Sequence, residues 1–142
     1  MSTDWQADVE EFHHKFGQLV QPSPMIPDKG SRHLSAFRKR LIHEEQLELF
    51  HAMTMDDLAG IADGIADSIV VLLGTAVSYG IQIQPIWDLV HQSNMAKDGG
   101  GQRVDGKVLK PANWAPPDIA GEIRRQQKAK YLTREQIRDR EI

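Results

Sequence analysis

Ile61-Ala-Asp63-Gly-Ile-Ala-Asp67-Ser-Ile-Val-Val-Leu-Leu is the stretch on which the fold turns. Ile61, Ile65, Ile69 and Leu72 recur at steps of three and four, the period of a helix and not of a strand. The spacing predicts a core stripe along one helical face. Asp67 lies inside this apolar stretch, and Asp63 precedes it by one turn on the same side. A carboxylate buried without a partner is costly, or is driven towards its neutral form. A lysine, an arginine or hydroxyl donors would relieve that cost. So would a divalent cation, and hard Mg²⁺ or Mn²⁺ prefers oxygen ligands of this kind.

Reading outward, Thr54 is expected to cap this helix, with Asp56 and Asp57 in its first turn, where the helix dipole favours acids. The helix should reach about Tyr79 and end at Gly80. Upstream, Leu34, Phe37, Leu41, Leu47 and Phe50 mark a helix over about 32–52, and Trp5, Val9, Phe12, Phe16 and Leu19 mark another over about 3–19. The proline-rich segment 21–30 between them must be loop. Downstream, Pro85 suits the first turn of a fourth helix ending near Ala96. The segment from Asp98 to Pro111 is glycine-rich and basic, hence a mobile loop or a short hairpin. A further helix is expected from about Pro117, and Thr133-Arg-Glu-Gln has the form of a capping box for a short last one. No strand of normal length is evident. The fold class expected is all-α: one domain over 1–120 and a basic helical extension over 121–142.

Composition narrows the function. A chain of 142 residues with 40% apolar side chains can form one domain with a real core. The absence of cysteine excludes disulfides, zinc–thiolate sites and thiol catalysis. A net charge of -3 argues against direct nucleic-acid binding. The longest apolar run, Ser68 to Val77, is about ten residues, short of a bilayer span, and Met1-Ser-Thr-Asp-Trp lacks signal-peptide character. A cytoplasmic protein with no membrane partner is expected. Seven basic and four acidic residues over 121–142 leave the rest of the chain distinctly acidic. An acidic body that takes an anionic ligand usually needs bound divalent cations.

Glu44-Glu45-Gln46-Leu47-Glu48 supplies the second acidic group, because Glu48 shares a helical face with both Glu44 and Glu45. Alone it reads as a solvated acidic face. Opposite Asp63 and Asp67 it becomes a candidate metal site. At the end of the fourth helix His91, Asn94 and Lys97 share a face. With Arg103, Lys107 and Lys110 in the following loop, Asn94 and Lys97 could hold a polyphosphate, the loop closing over it behind the flexible Gly99-Gly-Gly entry. The bland reading of these residues is polar helix-end and surface chemistry, with Trp114 a packed aromatic.

The order Glu-Glu-x-x-Glu, then an Asp on the next helix, then Asn-x-x-Lys resembles the all-α nucleoside triphosphate pyrophosphohydrolase superfamily, the MazG-like enzymes. It is most similar to the subgroup labelled Cof-like or phosphoribosyl-ATP pyrophosphohydrolase-like. The likeness runs from Val9-Glu-Glu-Phe-His-His-Lys-Phe-Gly to Trp114-Ala-Pro-Pro-Asp-Ile. Its most specific part is Val90-His-Gln-Ser-Asn-Met-Ala-Lys with Asp105-Gly-Lys-Val-Leu-Lys-Pro. The resemblance implies a helical bundle that forms a homodimer or homotetramer. It also implies Mg²⁺ or Mn²⁺ held by carboxylates of two helices, and cleavage of a nucleoside triphosphate to monophosphate and pyrophosphate. Glu44, Glu45 and Glu48 match the first acidic motif. In the second, Glu-x-x-Asp, Asp67 matches the aspartate, but Gly64 stands at the glutamate position, where Asp63 is expected to compensate. Glu44 or Glu45 is expected to orient the attacking water, while Phe12, His13 or Trp5 stacks on the base. Members act on dUTP, phosphoribosyl-ATP, damaged nucleotides or, in phage MazZ-type enzymes of the host cytoplasm, dGTP; these residues leave the base open. A non-catalytic nucleotide-binding protein is the competing class.

Overall fold

The computed structural model describes residues 3–140, with side chains described as far as Ala129. Its elements are α1 (Trp5–Lys15), α2 (Ser31–Thr54), α3 (Leu58–Tyr79), α4 (Ile83–Met95) and α5 (Ile119–Arg140). Among the described residues there is no strand, only an isolated antiparallel bridge between Gln102 and Val108. The chain is all-α. It divides into two compact units, 1–81 and 82–142, so the expected boundary at 120/121 falls inside α5.

In the first unit α3 is the hub on which α1 and α2 pack. Helix α1 starts at Asp4, whose side chain accepts from the Ala7 amide at 3.0 Å. It ends four residues before the expected Leu19, because Gly17 turns left-handed (φ +68°) and the Gln18 amide closes back on the His13 carbonyl. The expectation for Thr54 is corrected. Thr54 is the last residue of α2, its hydroxyl bonded back to the Phe50 carbonyl, and α3 is capped by Asp57, whose carboxylate accepts from the Gly60 amide at 3.0 Å. Thr54 and Asp57 both suit a cap; the turn through Asp56 (φ +52°) decides between them.

The proline-rich segment is ordered against the end of α3. The Gln21 amide donates to the Val77 carbonyl, the Met25 amide to the Tyr79 carbonyl, and the Gln21 side chain to the Ser78 carbonyl at 2.9 Å. Beneath it lies a polar core. His13 and Arg38 are buried beside Val9, Ala76 and Val77. His13 Nδ1 bonds the Leu19 carbonyl at 3.0 Å. Arg38 donates from Nε to the Thr75 hydroxyl at 3.1 Å and from a terminal nitrogen to the Val71 carbonyl at 2.6 Å. Both side chains converge on Gly74, where a Cβ would run into the Arg38 guanidinium and the His13 ring. Burial lowers the pKa of each, against the raising effect of the Leu19 carbonyl on His13.

The expected core stripe of α3 is only partly covered. Ile61 and Ile69 are half-buried, but Ile65 and Leu72 are 48% and 51% exposed; the buried positions are Gly64, Gly74, Ala76, Val77 and Ser78. Small residues face α1 and α2 because the helices approach closely there. By length and composition alone α3 could cross a membrane, since alanine and glycine extend its apolar span beyond the short run that the sequence suggests.

In the second unit α4 and α5 are tied by Gln126. Its side chain donates to the Gln82 carbonyl and accepts from the Gln82 amide, both at 2.9 Å. Segment 98–111 forms a short hairpin: the Arg103 amide donates to the Lys107 carbonyl (2.8 Å) and the Leu109 amide to the Gly101 carbonyl (3.0 Å). Helix α5 continues unbroken through Thr133, so the separate last helix is not formed. The proposed Thr133 capping contacts lie outside the residues with described side chains.

Candidate active site

Helices α2 and α3 come together at Gly64. A Cβ there would sit 3.0 Å from both Cα and Cβ of Leu49, a contact so tight that a larger residue would have to push the two helices slightly apart. Glu45 and Glu48 lie within one turn of Leu49, and Asp63 and Asp67 flank Gly64. The crossing therefore brings the two acidic faces together.

Glu45 is the focus. Its pKa is raised, first by burial and then by the charges of Glu48, Asp67, Glu44 and Asp63. All five carboxylates anticipated from the sequence thus share one electrostatic neighbourhood. Glu45 Oε2 is buried with no hydrogen-bond partner. Asp67 is half-buried rather than enclosed in apolar surroundings, while Glu44, Glu48 and Asp63 are exposed. Glu45 and Asp67 are alike half-buried, and it is Glu45 whose buried oxygen lacks a partner. Among the described residues no group of three carboxylates or histidines is drawn tightly enough to grip an ion as it stands. Mutual repulsion favours side-chain torsions that splay the acids, and a cation would reverse that preference.

An open cleft of about 550 Å³ begins at this acidic patch and runs to the α2–α3 turn. Glu48 and Asp63 line it, together with His51, Met55, Asp57 and Gly60. His51 escaped the sequence reading, although its three-residue spacing from Glu48 on α2 places both on one face. The sequence marks Asp57 only as a first-turn acid.

His13 does not present its ring to a ligand: it is 2% exposed and fixed to the Leu19 carbonyl, which corrects its expected stacking role. Phe12 and Trp5 remain exposed, with the Phe12 ring 4.7 Å from that of Phe16. The expected phosphate-holding residues all belong to the second unit. Lys97 Nζ donates to Asn94 Oδ1 at 2.8 Å. Arg103 makes a two-pronged ion pair with Asp105, which largely neutralises its charge and holds the Asp105 carboxyl below its ordinary range. Lys107 is exposed on the hairpin, and Lys110 lies over the Trp114 ring.

An all-α chain with an acidic patch built on two crossing helices has the architecture of the MazG-like pyrophosphohydrolases, and the sequence comparison agrees. Residues 9–94 match the family model of phosphoribosyl-ATP pyrophosphohydrolase, and the chain belongs to that family. No curated protein matches it. Membership assigns the chain pyrophosphohydrolase activity on nucleotides. The match spans all five carboxylates and ends at Asn94, before Lys97 and the hairpin.

Proposed function

We propose that the protein is a divalent-cation-dependent pyrophosphohydrolase that splits a (deoxy)nucleoside triphosphate into monophosphate and pyrophosphate, in control of the nucleotide pool. The observation that carries this reading is the unpartnered, buried Glu45 Oε2 among four further carboxylates. Such an oxygen fits a hard cation, because it has no proton donor to satisfy it and a strong excess of negative charge around it. Glu45, Glu48 and Asp67 would hold Mg²⁺ or Mn²⁺. When bound, the ion supplies positive charge against the phosphates and acidifies a water molecule.

The chain's own groups do the rest. Glu44, exposed at the edge of the patch, orients the attacking water and takes its proton. Asp63 faces the cleft and replaces the acid that Gly64 lacks. Asn94, Lys97, Lys107 and Lys110 of the second unit are the chain's candidates for phosphate contacts, with Arg103 contributing less because Asp105 already pairs it. The base rests near Phe12 or Trp5. Incubation with a panel of canonical and modified triphosphates, phosphoribosyl-ATP and dUTP, with Mn²⁺ or Mg²⁺, tests the reading. Metal-dependent nucleotide binding without turnover would support the non-catalytic alternative.

The packing at Gly64 yields a prediction. Gly64→Glu restores the family's acidic motif on paper but presses a side chain against the Leu49 backbone. It should destabilise the fold by about 1–3 kcal/mol and give no gain in turnover. Urea unfolding and initial rates check this; a stable, faster variant would show that Asp63 does not compensate.

We further propose that the protein is a homo-oligomer, at least a dimer and at most a homotetramer. Leu58, Ile65 and Leu72 recur at seven-residue spacing on α3 and all are exposed, as are Leu47 and Phe50 on α2. That apolar surface is characteristic of a face that seeks a partner. Sedimentation at micromolar concentration should give at least twice the 16.0 kDa chain mass; a clean monomer would refute the assembly.

A further inference from the structure

Trp114 stands at the meeting point of the two lysines nearest the end of α4. Its indole N–H donates to the Ser93 carbonyl at 2.7 Å, which fixes the ring against the last turn of that helix. Lys110 Nζ lies 4.5 Å from the ring centroid and Lys97 Nζ 5.6 Å from it. Both are within the range where a ring quadrupole attracts an ammonium. Lys97 is further held by Asn94 Oδ1 at 2.8 Å.

The hairpin fixes the other lysine. A Cβ on Gly100 would strike the Leu109 carbonyl, so the two hairpin arms touch there, and Lys110 leaves the contact directly towards Trp114. Among the described residues neither Lys97 nor Lys110 is in an ion pair, whereas Arg103 and Arg125 both are. Two unpaired ammonium groups drawn to one ring repel each other. An anion with spaced oxygens lying between or beside them would relieve that repulsion. A lone phosphate engages one ammonium well; a di- or triphosphate chain reaches both.

We propose that Trp114 is a positioning residue that holds Lys97 and Lys110 as a paired cationic seat for the polyphosphate chain of the substrate. The inference rests on the nucleoside triphosphate reading given above and adds to it the group that organises phosphate recognition. The seat is built entirely within residues 93–114, so it binds an inorganic polyphosphate without divalent cations.

The test is titration of the full-length protein with inorganic tripolyphosphate in excess chelator, followed by calorimetry at two salt concentrations. Wild type should bind, more weakly at high salt. Trp114→Leu should weaken binding roughly tenfold, while Trp114→Phe, which keeps an aromatic face, stays within about threefold. In nucleotide turnover with Mn²⁺, Trp114→Leu should raise KM far more than it lowers kcat, with Trp114→Phe rescuing most of the change. Should Trp114→Leu fail to fold, Lys110→Ala carries the same expectation for tripolyphosphate. The proposal is overturned if wild type ignores tripolyphosphate, or if Trp114→Leu or Lys110→Ala binds it as wild type does. Turnover of triphosphates by wild type despite such a result would leave the enzymatic reading standing. Tripolyphosphate binding without turnover would do the opposite.

Discussion

Glu45→Gln is expected to lower nucleotide hydrolysis at least about a hundredfold and, in the absence of divalent cations, to raise the melting temperature at neutral pH. The two effects have one origin. Burial and the charges of Glu48, Asp67, Glu44 and Asp63 raise the Glu45 pKa, so the folded protein holds this carboxylate at a disadvantage. A raised carboxyl pKa contributes stability that is complete below the ordinary glutamate range and is lost as pH rises through the elevated value. Glutamine keeps the shape and removes the charge. The stabilisation by Glu45→Gln should therefore be absent in acid, grow through that window and level off above it. Adding Mn²⁺ should reverse the order, stabilising wild type and leaving the variant nearly unmoved. Melting curves across pH with and without Mn²⁺ check this; equal metal-induced shifts in both proteins would remove Glu45 from the metal site.

The second large effect concerns Gly80. Gly80→Ala should cost about 2–4 kcal/mol, against about 1–2 kcal/mol for Gly17→Ala or Gly30→Ala. All three glycines are left-handed, at φ +71°, +68° and +77°. A Cβ at Gly17 or Gly30 meets nothing, but at Gly80 it strikes the Ser23 carbonyl of the proline-rich segment. The comparison separates backbone strain from the loss of that segment's bonds to Val77, Ser78 and Tyr79. Equal losses at the three positions in chemical unfolding would show that the segment contributes nothing.

Much of this was legible in the sequence because helical periodicity and breaker residues are local signals. The four upstream helices follow from Val9, Phe37, Ile61 and Pro85 with their neighbours, and the acidic residues of α2 and α3 identify themselves by spacing. Long-range packing was not legible. Periodicity marks Ile65 and Leu72 as core, yet they are exposed in the single chain, because the close α2–α3 approach goes through Gly64 instead. Arg38 carries no sign that it is buried, since its partners Val71 and Thr75 are more than thirty residues away. His13 resembled a stacking residue only because the Leu19 carbonyl that holds it becomes its neighbour through the Gly17 turn. The sequence points to Asp67 as the buried acid, yet Asp67 and Glu45 are both half-buried and the unpartnered oxygen belongs to Glu45, because which acid loses water depends on where two helices cross.

The most direct measurement is the product distribution from a nucleoside triphosphate with Mn²⁺, followed by phosphorus NMR. The account predicts nucleoside monophosphate and pyrophosphate in equal amounts, abolished by excess chelator and by Glu45→Gln. Release of orthophosphate with a nucleoside diphosphate, or turnover that survives chelator, would contradict it.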